Sequence, residues 1–217
     1  MIESTAGARA RAGTSDEAGA SRRIPTQKRS RERVERILEI AKGLIAESGS
    51  DYLRMSEVAE RAGVSIGSLY QYFPDKGAII RTLAQRYHEA SRACIAEGLA
   101  GVGDVASLAE QFGVLFDTYY GMFLAEPVMR DIWSATQADK SLRDIDIADS
   151  RENGELLAAA MRRVKPAARA GSLETTAFLV MHLGESTMRL AVSVGRAEGA
   201  CLVDAYKRMA MRELLSV

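Results

Sequence analysis

Cysteine is nearly absent: Cys94 and Cys201 are the only two in 217 residues. They lie far apart and match no metal-binding or redox spacing, so they read as buried free thiols in a reducing compartment, and neither a metal nor a cofactor is expected. Aromatic residues are also few, at 6%. Ala, Leu, Met, Glu and Arg dominate instead, a composition that favours helices. No strand-like alternation stands out, and no stretch approaches the run of about 18 apolar residues that a membrane span needs. The first 21 residues mix Ala, Gly and Ser with charges and contain no apolar core of a signal peptide. A cytoplasmic, all-α chain without a membrane partner is therefore expected.

Net charge is missing as well: 29 basic residues balance 29 acidic ones. Zero net charge on its own argues against a nucleic-acid partner, but the distribution reverses that. Between Arg22 and Arg36, seven basic residues face two acidic ones, a net of +5. From Glu97 onward, 13 basic residues face 17 acidic ones, a net of −4. Such asymmetry suits a binder with one DNA-facing end.

The most informative stretch is Arg54–Lys76, RMSEVAERAGVSIGSLYQYFPDK. Met55, Val58, Ala59 and Ala62 fall at helical spacing and stop at Gly63, a residue that tolerates the left-handed conformation of a sharp turn. Ser65 is a good N-cap for a second short helix carrying Ile66, Leu69, Tyr70 and Phe73, closed by Pro74-Asp75. Two short helices joined by a tight Gly-containing turn form a helix-turn-helix, whose second helix fits the DNA major groove. The run Val58-Ala59, Ala62-Gly63-Val64-Ser65, Gly67, Leu69-Tyr70-Gln71-Tyr72-Phe73, Asp75-Lys76 closely resembles the DNA-binding domain of TetR (tetracycline-repressor-like) transcriptional regulators. The resemblance covers roughly Arg29 to Tyr87. Where that family usually has a Thr N-cap, this chain has Arg54; either Ser56 or Asp51 adjusts the helix start, or Arg54 serves DNA phosphate.

On the second helix, Leu69 and Phe73 should face the core. That leaves Ile66, Gly67, Ser68 and Gln71 toward base edges: Ser and Gln by hydrogen bonds, Ile by contact with a thymine methyl, Gly by close backbone approach. The resemblance adds Tyr70 and Tyr72 as backbone or base contacts, Lys76 as a phosphate-binding lysine and Ser56 as a further DNA contact. Arg54 completes the expected DNA-binding set.

Along the chain, residues 1–27 are expected to be a disordered tail whose basic end (Arg22, Arg23, Lys28, Arg29) is either solvated or an arm on DNA. Residues 28–74 form the helix-turn-helix domain, its first helix lined by Val34, Ile37, Leu38, Ala41, Leu44 and Ile45. A connecting helix capped by Asp75 spans 75–97, with His88 on its surface. The glycines Gly98, Gly101 and Gly103 mark a boundary, and residues 98–217 form a helical ligand-binding and dimerisation domain. Within it, Ser107–Glu110 reads as a capping box, Ala138–Asp149 as a polar connection, and Ser172 as the cap of a long helix.

In that second domain, Phe116, Tyr119, Phe123, Met129 and Trp133, with the polar Gln137, His182 and Glu185, are candidates for lining an apolar pocket, although an aromatic stripe is also what a plain core looks like. The last two helices carry apolar residues over more than one stripe, so one face needs a partner. Met181, Met188, Val192, Leu202, Tyr206 and Met209 are the candidate dimer residues. The resemblance implies a homodimer through the last two helices, a palindromic double-stranded operator and a small-molecule effector. A repressor released by an apolar or amphipathic ligand follows from it; a ligand-independent DNA-binding regulator is the alternative. A third possibility is Gly63-Val64-Ser65-Ile66-Gly67 as the G-x-S-x-G elbow of a hydrolase, with Asp146 and His182 completing a triad. That elbow needs a strand before the serine, and SEVAERA is a helix former, so no catalytic residue is expected.

Overall fold

A computed structural model describes residues 17–138, 140–166 and 170–216. Among them it contains helices and no strand, in agreement with the all-α expectation: α1 (Glu17–Ser48), a 3-10 turn (Ser50–Tyr52), α2 (Met55–Ala62), α3 (Ile66–Tyr72), α4 (Lys76–Ala100), α5 (Val105–Ala125), α6 (Val128–Ala138), α7 (Lys140–Val164), α8 (Ala170–Ser193) and α9 (Arg196–Ser216). No described helix is long and apolar enough to cross a membrane.

Four boundaries differ from expectation. α1 begins at Glu17, inside the stretch expected to be a disordered tail, because its Ala, Arg and Glu residues are good helix formers; residues 1–16 lie outside the described residues. α5 begins one turn before the expected cap. Asp104 is its N-cap, accepting from the Ser107 N–H at 2.8 Å, and Ser107 reciprocates by accepting from the Asp104 N–H at 3.1 Å. The polar connection expected at 138–149 is mostly helix: α7 starts at Lys140, since its polar residues have buried partners. α8 likewise starts at Ala170, ahead of Ser172.

The N-terminal unit follows from its local chemistry. Ile37, Leu38, Ala41 and Ile45 of α1 are at most 1% exposed and pack with Val58, Leu69, Ile79 and Leu83. Gly49 at φ 87° turns the chain out of α1, a conformation other residues rarely adopt. Gly63 at φ 65° ends α2, its N–H donating to Ala59 O and Glu60 O, and the Val64 N–H also donates to Ala59 O at 3.0 Å. Those bonds satisfy the helix's last carbonyls. Ser65 then caps α3, accepting from the Ser68 N–H at 3.1 Å, and Asp75 caps α4, accepting from Ala78 N–H at 2.7 Å.

α4 leaves this unit and runs into the larger one, packing on α5, α6 and α7. A side chain caps its C-terminus: Arg163 of α7 donates to Leu99 O at 2.5 Å, and to Val102 O just beyond the helix at 2.8 Å. α6 packs back against α1 and the 3-10 turn. α7, α8 and α9 form the most closely packed part of the larger unit. Gly154 permits that closeness, because a Cβ there would lie 2.7 Å from the Phe178 Cα. Cys94 is half-buried and Cys201 exposed, so only the first approaches the buried thiol expected.

Replacing Gly154 by Ala forces α7 and α8 apart and should cost about 1–3 kcal/mol. The thermal midpoint then falls by several degrees, about 2–4 °C per kcal/mol for a chain of this size. An unchanged midpoint in a calorimetric scan contradicts the tight crossing.

Candidate functional site

α3 and the adjoining part of α1 make one continuous surface. Ile66 and Tyr70 are 45% and 50% exposed, large values for apolar side chains, and Gly67 and Gln71 are exposed beside them. Leu69 is fully buried and Phe73 nearly so, which fixes the rotation of α3 and leaves the expected residues outward. Ser68 is half-buried, and its hydroxyl accepts a long contact from Arg33 Nη1 at 3.5 Å. Tyr72 is half-buried too, its hydroxyl accepting from Ser30 Oγ at 3.3 Å. Residues 30 and 33 of α1 therefore lie beside residues 72 and 68 of α3. The basic stretch of α1 consequently borders α3, with Lys28, Arg29, Arg31, Arg33 and Arg36 all exposed.

Arg54 occupies the N-cap position of α2 in extended conformation with no side-chain capping bond. Neither Ser56 nor Asp51 supplies one; Ser56 is exposed on the first turn. Lys76 is exposed and donates to Asp51 O at 3.0 Å, holding an ammonium at the start of α4 beside the turn that follows α1. Ser65 serves as the cap of α3. Asp146 and His182 are engaged elsewhere, with Thr136 and His88 and with Ser150 respectively. A helix–turn–helix without a strand offers no nucleophile elbow.

The second feature is a cleft between α4, α5, α7 and α8, with an empty volume of about 650 Å³ counting its open mouth and an enclosed volume of about 40 Å³. Its walls are mostly apolar, from Ile95 and Leu99 of α4, Phe112, Leu115, Phe116 and Met122 of α5, Leu157 of α7 and Met181 of α8; Ser91, Cys94, Thr118, Tyr119, Asn153 and Glu185 complete it. Of the expected lining, Phe116, Tyr119 and Glu185 are there. Phe123, Met129 and Trp133 are buried instead in the core, Phe123 packing edge-on against Trp133 with centroids 6.4 Å apart. Gln137 donates to Asp146 at 3.0 Å, and half-buried His182 pairs with Ser150 at 3.2 Å. Met181, expected at a dimer face, lines the cleft. Sequence reasoning missed Asn153, which the polar stripe 146/149/150/153 at helical spacing could have signalled.

Behind the cleft lies a buried ionic cluster. His88, expected on a helix surface, is 3% exposed. Its Nδ1 is 2.7 Å from Asp149 Oδ2 and its Nε2 3.2 Å from Asp146 Oδ1. Burial alone pulls the imidazole down, but the hydrogen bonds of Asp146 and Asp149 outweigh it and hold the group at about 9. An imidazolium then donates from both nitrogens. Arg92 pairs with Asp149 and with Glu152. Burial pushes the Asp149 carboxyl up, while His88 and Arg92 more than offset that and hold it below its ordinary value. Thr136 donates to Asp146 at 2.7 Å. Burial also raises Glu185 to about 7, against the pull of His88 and with the push of Asp146 and Asp149. His88, Asp149 and Glu185 bring ligand atoms within 4.8 Å of one another, yet both imidazole nitrogens already face carboxylates, so ion pairing accounts for the cluster.

Two family models match the chain. Residues 37–83 match the bacterial regulatory proteins of the tetR family, and residues 106–217, just over half of the chain, match the tetracyclin repressor-like C-terminal domain. The chain belongs to the TetR family of transcriptional regulators. It is thus a regulator by family rather than an enzyme. Among curated relatives, the HTH-type transcriptional repressor KstR of Mycolicibacterium smegmatis is 46% identical over 46 residues, 21% of this chain and 22% of that protein. The match spans less than a quarter of that relative's length. Among solved structures, a TetR-family regulator from Streptomyces coelicolor superposes with a TM-score of 0.63 at 24% identity, over 87% of this chain and 98% of the other. The regulator FadR from Bacillus subtilis, solved in complex with stearoyl-CoA, gives 0.60 at 17% identity over 84% and 97%. At those identities the likeness is one of fold.

The His88 ion pair makes stability depend on pH with a definite sign. A histidine whose folded value is raised contributes fully below its unfolded value of about 6.5 and loses that contribution as pH rises through the folded value. The thermal midpoint should fall between pH 6.5 and about 9, by the equivalent of about 3 kcal/mol. His88→Gln should flatten that decline; an equally steep one in the variant shows that another group is responsible.

Proposed function

We propose that the chain is a homodimeric repressor whose two α3 helices read a palindromic operator and which an apolar or amphipathic ligand in the α4–α8 cleft releases. What supports it is the α3 surface: Ile66, Gly67, Tyr70 and Gln71 stand exposed at the N-terminal and outer side of a helix whose other face is locked in the core, bordered by the cations of α1. That is the geometry of major-groove reading, with phosphate contacts supplied by Lys76, Arg54 and α1. Ser68 and Tyr72, tied to Arg33 and Ser30, position α3 as much as they reach DNA, and Ser56 faces the backbone from the first turn of α2.

The dimer surface is proposed on α8 and α9. Leu179, Leu183 and Leu190 are 51%, 46% and 52% exposed, and their spacing of four and seven residues puts them on one helix face. Met209 on α9 is 67% exposed. Of the residues expected there, Met188 is fully buried and Tyr206 nearly so, donating to Val180 O, and Val192 and Leu202 are half-buried. Met188 and Tyr206 are used inside the protomer, and the leucine row, with the part-exposed Val192 and Leu202, is what remains for a partner.

The cleft gives the effector its leverage. Ile79, Ile80 and Leu83 at one end of α4 belong to the core under α3, whereas Ser91, Ile95 and Leu99 at the other end line the cleft. The cleft's empty volume of about 650 Å³ counts its open mouth and little of it lies deep between the helices, so a guest that enters fully presses on α4. The ligand then favours the DNA-incompatible state by as much as it prefers the spread cleft.

With operator obtained by selection from random duplexes, Tyr70→Ala should weaken binding at least fivefold, about 1–3 kcal/mol, without changing the sedimentation of the protein. Lys76→Ala should lower the slope of log affinity against log salt by about one. Unchanged affinity in both variants overturns the assignment of α3. Leu183→Glu should convert the dimer to a folded monomer in sedimentation equilibrium; a dimer of undiminished strength removes α8 from the interface.

A further inference from the structure

The cleft is not uniformly apolar, and its polar end has a specific chemistry. Asn153 is 4% exposed. Its Nδ2 donates to Asp149 Oδ2 at 2.9 Å, and because a carboxylate accepts only, this bond fixes which way the amide points. The Oδ1 is thereby left as an acceptor, itself shielded from water, and no donor among the described residues reaches it. A buried acceptor left without a donor is costly. Glu185, 8% exposed, stands at the same end of the cleft. Ser150 donates to its Oε2 at 3.3 Å, which leaves Oε1 for another partner.

The charges around this end cancel. The imidazolium of His88 and the guanidinium of Arg92 face the carboxylates of Asp146 and Asp149, and Glu152 and Arg189 lie farther out. With Glu185 raised toward neutrality by burial, this end of the cleft offers little uncompensated charge to an ionic guest. Burying an ion without a partner costs far more than burying a hydroxyl. A carboxylate or phosphate would meet the Asn153 oxygen and the Glu185 carboxyl, with no cation among the described residues lining the cleft to pair with it. An ammonium could donate to Asn153 but could accept nothing from the Glu185 carboxyl. A hydroxyl can do both.

We propose that the cleft takes an uncharged apolar molecule ending in a hydroxyl group, whose O–H donates to Asn153 Oδ1 and whose oxygen accepts from the carboxyl of Glu185. This rests on the effector reading above for its biological meaning, but the contact chemistry stands on the cleft alone. The hydrocarbon body lies along Ile95, Leu99, Phe112 and Phe116, over the roughly 12 Å of α4 between residues 91 and 99. A site built to hydrogen-bond a hydroxyl discriminates strongly against analogues that lack the donor.

A matched decyl series tests it by isothermal titration of the full chain at pH 6.5: 1-decanol, decyl methyl ether, decanoate and decylammonium. Decanol should bind at one site per protomer, at least tenfold tighter than each of the other three. Asn153→Leu should reduce decanol to the level of the ether. Equal binding of the ether, tighter binding of decanoate or of decylammonium, or no binding of decanol overturns the inference. The comparison of decanol with its ether uses the unaltered protein, so it holds even if the variant folds poorly. Adding decanol to the operator complex separates the two levels: decanol that binds in an Asn153-dependent way yet leaves the complex intact supports the ligand chemistry and defeats the effector reading alone.

Discussion

A protonated imidazole held between two carboxylates sets the geometry of the larger unit. His88 is on α4, and Asp146 and Asp149 are on α7. Each of these groups alone would be expensive to bury; together with Arg92 they form a closed set in which every charge has an opposite neighbour. The set dictates the relative placement of α4 and α7, since either helix can turn only by breaking two charge-assisted bonds. Arg163 adds a second tie between the same helices at the end of α4. The cleft opens beside this joint, and Asn153 belongs to both, bonded to Asp149 on one side and lining the cleft on the other.

That arrangement gives α4 two unlike ends. Toward α1 it is held by the packing of Ile79, Ile80 and Leu83 and by the exposed Arg86–Glu35 pair at 2.6 Å; toward α7 it is held by buried charge. The exposed pair contributes little, so the N-terminal hold on α4 is essentially apolar and tolerant of small shifts, whereas the ionic hold is directional. In the proposed effector mechanism, a guest that wedges the apolar wall of the cleft would pivot α4 about the ionic joint and displace the end that carries the N-terminal core.

The N-terminal unit was legible in the sequence almost residue by residue because its determinants are local: Gly63 at positive φ, Ser65 and Asp75 as caps, Leu69 and Phe73 inward. The larger unit was legible as helices but not as contacts. Ala138–Asp149 reads as a solvated connection because aspartates are ordinarily exposed; what buries them is His88, 58 and 61 residues earlier in the chain. The assignment of His88 to the surface failed for the same reason seen from the other side. Among the apolar residues of α8, periodicity marks two faces without saying which one faces a partner. Met188 and Leu190, two residues apart, went to opposite fates.

Trp133 is the chain's single tryptophan, and its ring stacks on the His88 imidazole with centroids 4.7 Å apart and planes inclined by 22°. A cationic imidazole in face contact withdraws electron density from an excited indole and quenches its emission. The protein consequently carries an intrinsic optical reporter at the one joint where helix position and proton occupancy meet. Its brightness should read out the contact between α4 and α6 beside that joint without any label.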